Sequence, residues 1–418
     1  MVEDSITKET STLKSQRLFW DVLLLVILVV GAYFRLIGLD WDEEQHLHPD
    51  ERFMTMVASS IHTPGSLGDY FNTATSSLNP HVVGYGFYVY GTLPLFLTRW
   101  VGEALGKTGY GEIYLVGRVL SALADLFTVF LVYHIARHLY RRYAIGALAA
   151  GFAALAVLQI QLSHYFTVDT FANAFLYLAF YAAVRVMTAP LPSGGQDSAS
   201  VRRLDEPMGF YLLFGLGLGL ALASKVSTLP VAILLPIAAL IRYSRMTTPE
   251  MRSRLSLGMV RNLALAVVVA FFTFRIFQPY AFSGPGFWGL AINPRWVDNL
   301  RELSNLSNGD VDFPPALQWA RRPLTFAWVN MVKWGLGWPL GLLAWAGFLW
   351  MGYRIIRGAW REHLLLWAWT GLYFSWQSLN FTRAMRYQLP VYPSLAIIAA
   401  WAIITLWDKA ALNGLLSR

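Results

Sequence analysis

The sequence predicts an all-α polytopic membrane protein: a bundle of about ten transmembrane helices with juxtamembrane helices at its outer face. Three observations predict it. First, the 418 residues are 56% hydrophobic, 15% aromatic and only 14% charged, with a mean hydropathy of +0.44, which no ordinary soluble domain shows. Second, the apolar residues gather into runs near the roughly 20 residues that a helix needs to cross a bilayer. Third, the basic residues stand in short clusters between those runs, as orientation signals do. They form no continuous basic domain, so the formal charge of +8 does not indicate a nucleic-acid partner.

The predicted spans are Leu18–Leu39, Ile113–His138, Tyr143–Ile160, Thr170–Met187, Met208–Ala223, Leu229–Ile241, Leu263–Phe282, Phe326–Tyr353, Leu364–Ser378 and Leu389–Leu406. The first follows a basic start at Lys8, Lys14 and Arg17 and is longer than a signal-peptide core, so it should persist as an anchor. The stretch "GYGFYVYGTLPLFLTRWVG" from Gly84 is short, carries three glycines, Pro94 and Arg99, and would invert every later basic cluster if it crossed. It is expected along the outer interface. With ten spans, both termini and the clusters Arg137–Arg142, Arg202–Arg203, Arg242–Arg261 and Arg354–Arg361 fall on the cytoplasmic side. A single domain over residues 1–418 then has two long outer segments, 40–112 and 283–325, where function should lie. "TAPLPSGGQDSASVRRLDEP" reads as a cytoplasmic linker, and "NGDVDFPPALQWARRP", with Asp310 and Asp312, as an outer loop.

Candidate chemistry begins at the exit of the first span, in "WDEEQHLHPDERF". Asp42, Glu43 and Glu44 read as a solvated acidic stretch. Pro49 sets a helix start, and Phe53, Met54, Val57 and Ile61 recur at helical spacing, giving an amphipathic helix on the membrane surface. Asp50 near its first turn is either a helix cap or a functional carboxylate. Asp169 stands alone among apolar residues between the third and fourth spans, where an ionisable group is costly and a functional reading is the default; capping the fourth span is its other reading. His164 lies in the same turn. Asp50, Asp169, His164 and His48, in a chain without cysteine, offer oxygen and imidazole ligands that would suit Mg²⁺, Mn²⁺ or Zn²⁺. Lys225, Arg383 and Arg386 are outer-face cations against the orientation rule. They either snorkel to lipid phosphates or hold the phosphate of a ligand, with Arg52 and Arg275 as weaker candidates. Arg118 and Asp125, seven residues apart on one helix face, read as a structural pair.

The order of these motifs, a span, then "HPDE", "SHYFTVD", "GLALASKVSTLP" and "RAMRYQLPVYPSLAIIAAW", resembles the polyprenyl-phosphate-sugar-dependent glycosyltransferases of the GT-C fold. The group it is most similar to is family 39, with the protein O-mannosyltransferases and lipid A aminoarabinose transferases. The resemblance implies a GT-C bundle, catalysis by Asp50 and Glu51, assistance from Asp169, and a phosphate-binding role for Lys225 and Arg386. It also implies a polyprenyl-phosphate sugar donor and an acceptor that is a protein, a glycolipid or a polysaccharide, at the extracytoplasmic face of the plasma (inner) membrane. The expected reaction is inverting, with Asp50 as general base. The alternatives are a transporter or lipid flippase, and a catalytically silent accessory subunit. The acids cluster at one face and no internal repeat is evident, which disfavours the transporter.

Overall fold

A computed structural model describes residues 2–191, 207–310 and 314–412. Most of the linker after Thr188, and Asp312, lie outside the described residues. Among those described the chain is helical, and its only strand-like pairing is an isolated bridge between Phe282 and Ile292. The longer helices are α1 (Val2–Leu36), α2 (Pro49–Ser60), α3 (Thr92–Leu105), α4 (Tyr110–Tyr140), α5 (Tyr143–Ala154), α6 (Val157–Ser163), α7 (Val168–Thr188), α8 (Met208–Ser224), α9 (Leu234–Ser244), α10 (Pro249–Phe277), α11 (Pro294–Asn308), α12 (Trp338–Arg354), α13 (Trp360–Leu379) and α14 (Tyr392–Leu412). Two 3₁₀ segments, Val226–Ile233 and Met385–Val391, lead into α9 and α14.

Among the described residues seven helical stretches are long and apolar enough to cross a membrane, and eight if the pair α5 and α6, bent by 57°, is one crossing. One of the seven, Trp338–Leu379, runs for 42 residues, about 63 Å of helix and twice a bilayer core. It reverses at Gly358, where φ is 101°. The indole of Trp367 donates to the Phe348 carbonyl at 3.1 Å and stacks on the Phe348 ring, so α12 and α13 run antiparallel. With that reversal, the bent pair and the shorter apolar α8, the helices are consistent with ten crossings. All ten predicted spans fall on helical segments.

Burial divides the helices sharply. In α1 the membrane-length part is only 11% buried, whereas in α7 and in the stretch that includes α14 it is 78%. The apolar core joins α4, α5, α7, α8, α9 and α14. The alanines of α5, Ala149, Ala150, Ala153 and Ala154, let its backbone approach α4 and α14 closely.

Buried charges tie the spans together. Arg35 of α1 holds Asp125 of α4 at 2.7 Å, both fully buried, and donates to the carbonyls of Ala153 and Ala154. Both carbonyls belong to the last turn of α5. Arg118 and Asp125 are therefore not each other's partners: seven residues separate them by about 10 Å along α4, beyond ion-pair reach.

A second apolar cluster caps one end of the bundle. It joins Met54, Val57 and Ala58 of α2 and Ile61 at its C-cap to Leu78, Tyr88, Leu95, Phe96, Phe166 and Tyr280. These three α2 residues and Ile61 are completely buried, so the apolar face of this helix packs into protein and not, as expected, into the membrane surface. The stretch expected along the outer interface forms the 14-residue α3, packed on α2 and α4. The segments read as two outer loops meet on this cap: Thr73 Oγ1 donates to the Phe282 carbonyl at 2.7 Å and Asn299 Nδ2 to that of Tyr88 at 3.3 Å.

Candidate active site

The site grows from the start of α2. Pro49 takes its first helical position, and the Nδ1 of His48 accepts the N–H of Glu51 as N-cap. With the cap supplied by His48, Asp50 is left free in the first turn, where the helix dipole favours an anion. Asp50 pairs instead with Arg386 from the 3₁₀ segment before α14. Asp169 occupies the first turn of α7 in the same way. It accepts a 2.6 Å hydrogen bond from Lys225 Nζ, and Lys225 sits at the C-cap of α8, the end of a helix that favours a cation. The two pairs adjoin. The Tyr387 ring lies 4.9 Å from Lys225 Nζ and 5.4 Å from the Arg386 guanidinium, and Arg386 and His48 both lie within electrostatic reach of Asp169. Side-chain exposures of 22% for Asp50, 27% for Arg386 and 26% for Lys225 leave the site open to a ligand, while Asp169 at 6% lies at its floor.

Two further groups face Asp50. The Tyr90 phenol lies within electrostatic reach of it, and burial followed by the Asp50 charge holds that phenol well above its usual pKa. The imidazole of His48 stacks near Tyr165, with centroids 4.4 Å apart. Burial lowers the His48 pKa, and the Arg386 charge adds to the fall, against the opposing carboxylates Asp50, Glu51 and Asp169. Gly91, just after Tyr90, donates its N–H to the Ser224 carbonyl at 3.1 Å. A Cβ there would sit 2.1 Å from the Ala223 carbonyl oxygen, so only glycine lets this loop touch the turn that carries Lys225.

Glu51 lies elsewhere than its neighbour. It is fully buried and grips Arg118 of α4 through both oxygens, at 2.7 and 2.8 Å, and accepts the Phe166 N–H at 2.8 Å. Arg118 also holds Asp42 at 2.9 Å. Asp42, expected in solvent, is 5% exposed. Burial opposes its charge, yet the Arg118 guanidinium and the Leu47 N–H hold its carboxyl below the usual range.

Three predicted residues do not join the site. Arg52 is exposed and donates to the His46 carbonyl. Arg383 donates to the carbonyls of Ser378 and Arg322, so it braces a loop. Arg275, fully buried, donates to the carbonyls of Phe287, Pro279 and Gly286 and orders the turn after α10.

The candidate metal ligands are not gathered about one point in this arrangement. His164 turns its ring nitrogens to the carbonyls of Ile160 at 2.8 Å and Ile37 at 3.0 Å, and Asp50 and Asp169 each face a cation. Among the described residues no three His, Asp or Glu side chains stand close enough to hold a metal ion.

This fold is similar to that of the Archaeoglobus fulgidus oligosaccharyltransferase in complex with Zn and sulfate, at 16% identity over 93% of this chain and 50% of that one, with a TM-score of 0.59. It is similar also to the archaeal oligosaccharyltransferase AglB from the same organism with an inhibitory peptide and a dolichol-phosphate, at 14% identity over 96% and 52% of the two chains and a TM-score of 0.58. ArnT from Cupriavidus metallidurans bound to undecaprenyl phosphate matches at 19% identity over 94% and 62%, with a TM-score of 0.52. The chain thus spans between 50% and 62% of the length of these relatives, and the fold they share with it is GT-C. No curated protein matches the chain. Residues 67–281, just over half of the 418, match the family model described as dolichyl-phosphate-mannose-protein mannosyltransferase. This match includes Asp169 and Lys225, and on it the chain belongs to that family of multi-pass membrane proteins.

Proposed function

We propose that this protein is a membrane glycosyltransferase that moves a sugar from a polyprenyl phosphate to an acceptor hydroxyl at the extracytoplasmic face, with inversion and with Asp50 as general base. One observation carries this reading: two first-turn carboxylates, Asp50 and Asp169, each paired with a cation, Arg386 and Lys225, in one partly open site at the capped end of the bundle. The dolichol-phosphate on AglB and the undecaprenyl phosphate on ArnT support a lipid-linked phosphate as the donor's leaving group.

The chemistry follows from the residue types. A departing lipid phosphate is a stabilised anion, so it needs positive charge more than it needs a proton. Arg386, with a planar fork suited to phosphate oxygens, and Lys225 supply that charge. As the donor phosphate takes hydrogen bonds from Arg386, the guanidinium gives up Asp50, whose carboxylate becomes free to accept a proton. Asp50 takes the acceptor hydroxyl's proton as its oxygen forms a bond to the anomeric carbon. The bond from that carbon to the phosphate oxygen breaks on the opposite face, and its electron pair leaves with the phosphate. Asp169 orients Lys225, Tyr90 orients Asp50, and Glu51 is a positioning residue. Residues 1–418 serve as one catalytic domain.

The test is transfer of labelled sugar from a panel of polyprenyl-phosphate donors to membrane extracts by the purified protein, with the anomeric configuration of the product determined. Transfer with inversion is expected. Transfer with retention would overturn the single-displacement mechanism, and no transfer from any donor by folded protein would overturn the function.

A further inference from the structure

We propose that the end of the bundle opposite the carboxylates holds the phosphate of an anionic phospholipid, gripped by Arg137 and Arg185. The depth is right. Arg185 follows Asp169 by 16 residues on α7, about 24 Å along the helix. With Asp169 at one headgroup level, this brings Arg185 close to the other, across a hydrocarbon core of roughly 30 Å.

The chemistry there is one-signed. Among the described residues Arg137 donates one hydrogen bond, from Nη2 to the Tyr143 hydroxyl at 2.7 Å, and Arg185 uses only Nη1, at 2.6 Å from the Tyr181 hydroxyl and 3.5 Å from His138 Nε2. His134 stands next to His138, with ring centroids 6.4 Å apart. Each guanidinium has five N–H groups, and among the described residues neither meets a carboxylate. The acid that reaches this cluster, Asp21 of α1, is paired with Arg17.

The two arginines are also held in place. The Arg137 guanidinium lies 4.0 Å from the Tyr143 ring centroid and that of Arg185 4.3 Å from the Phe210 ring, and both side chains are half-buried. A snorkelling arginine extends into water, whereas these rest over aromatic rings at headgroup depth. Arginine forks match phosphate oxygens two at a time, and basic pockets between membrane helices take lipid headgroups in this way.

The full chain, purified and delipidated in detergent, is incubated with phosphatidylglycerol or phosphatidylcholine, and bound lipid is counted by native mass spectrometry. Wild type should retain phosphatidylglycerol over phosphatidylcholine by roughly tenfold or more, at about 1 kcal/mol per basic residue. R137Q/R185Q should lose that preference, while R354Q/R357Q, which removes two charges from the same end, should keep it. Should the glutamine pair misfold, R137K/R185K keeps the charge and loses the fork, and should show weaker retention. Equal retention by the folded 137/185 variants, or equal loss by R354Q/R357Q, would overturn the proposal. So would thermal stabilisation of wild type by inorganic phosphate as large as that by short-chain phosphatidylglycerol, which would make this a free-anion site.

Discussion

Glu51 holds Arg118 through both carboxylate oxygens in a site that water does not reach. One of those oxygens also takes the N–H of Phe166, three residues before Asp169. The residue beside Asp50 thus fastens α2 to α4 and to the turn that opens α7, setting the two site carboxylates relative to each other. Breaking a buried ion pair from one side leaves an uncompensated charge and costs about 3–5 kcal/mol. Glu51→Gln should therefore lower the Tm and the transfer rate together, whereas Asp50→Asn should lower the rate alone. Thermal unfolding and transfer assays on both variants check this.

Gly117 precedes Arg118 and lies against Phe166, where a Cβ would come within 2.2 Å of the ring carbon Cγ. Overpacking of this kind costs about 1–3 kcal/mol, and here it pushes on the turn that carries Asp169. Gly117→Ala should reduce kcat more than it raises the donor KM. An unchanged kcat would mean that the turn absorbs the displacement.

The fold was legible because apolar run length and the basic clusters are local signals that membrane physics makes strong. Asp169 is legible as an ionisable group in a costly place, and Asp50 only as a carboxylate at a helix start that reads equally as a cap or as a functional group. Their partners were only half legible. Lys225 and Arg386 stood out as cations on an unexpected face, but nothing local separates them from Arg383 or Arg52, whose guanidiniums turn to backbone carbonyls. Arg118 was assigned to Asp125 because spacing on one helix is visible in sequence and a contact between helices is not. An arginine in the first turns of the span that follows an acidic exit loop is the signal for its pairing with Asp42 and Glu51. Tyr90 gave no signal, because its stretch reads only as apolar and aromatic.

The lowered pKa of His48 gives a pH dependence with a defined sign. The folded protein binds this proton less readily than the unfolded chain, whose histidine titrates near the ordinary value of 6.5. Its contribution to stability is therefore complete above pH 6.5 and shrinks as the pH falls below it towards the folded pKa. Protonation also removes the Nδ1 lone pair that caps α2. Asn caps helices well and does not titrate, so His48→Asn should flatten the fall in Tm below pH 6.5 relative to wild type and match it above pH 7. Parallel curves for the two proteins across the range would refute the assignment.

Positive charge at this site comes from Arg386 and Lys225, without a grouped set of metal ligands among the described residues. Transfer should survive dialysis against EDTA at an unchanged rate, and Lys225→Gln should slow it with or without added Mg²⁺, Mn²⁺ or Zn²⁺. Loss of activity on chelation, restored by one of these ions, would show that ligand binding rebuilds the site around a metal.

The central claim is that Asp50 is the base, and single-turnover sugar transfer by Asp50→Asn tests it most directly. With donor bound and the fold intact, the rate should fall by roughly 10²–10⁴-fold, the usual worth of a positioned general base, while the Tm stays close to that of wild type. A folded, donor-bound Asp50→Asn protein that transfers sugar at the wild-type rate would contradict the account.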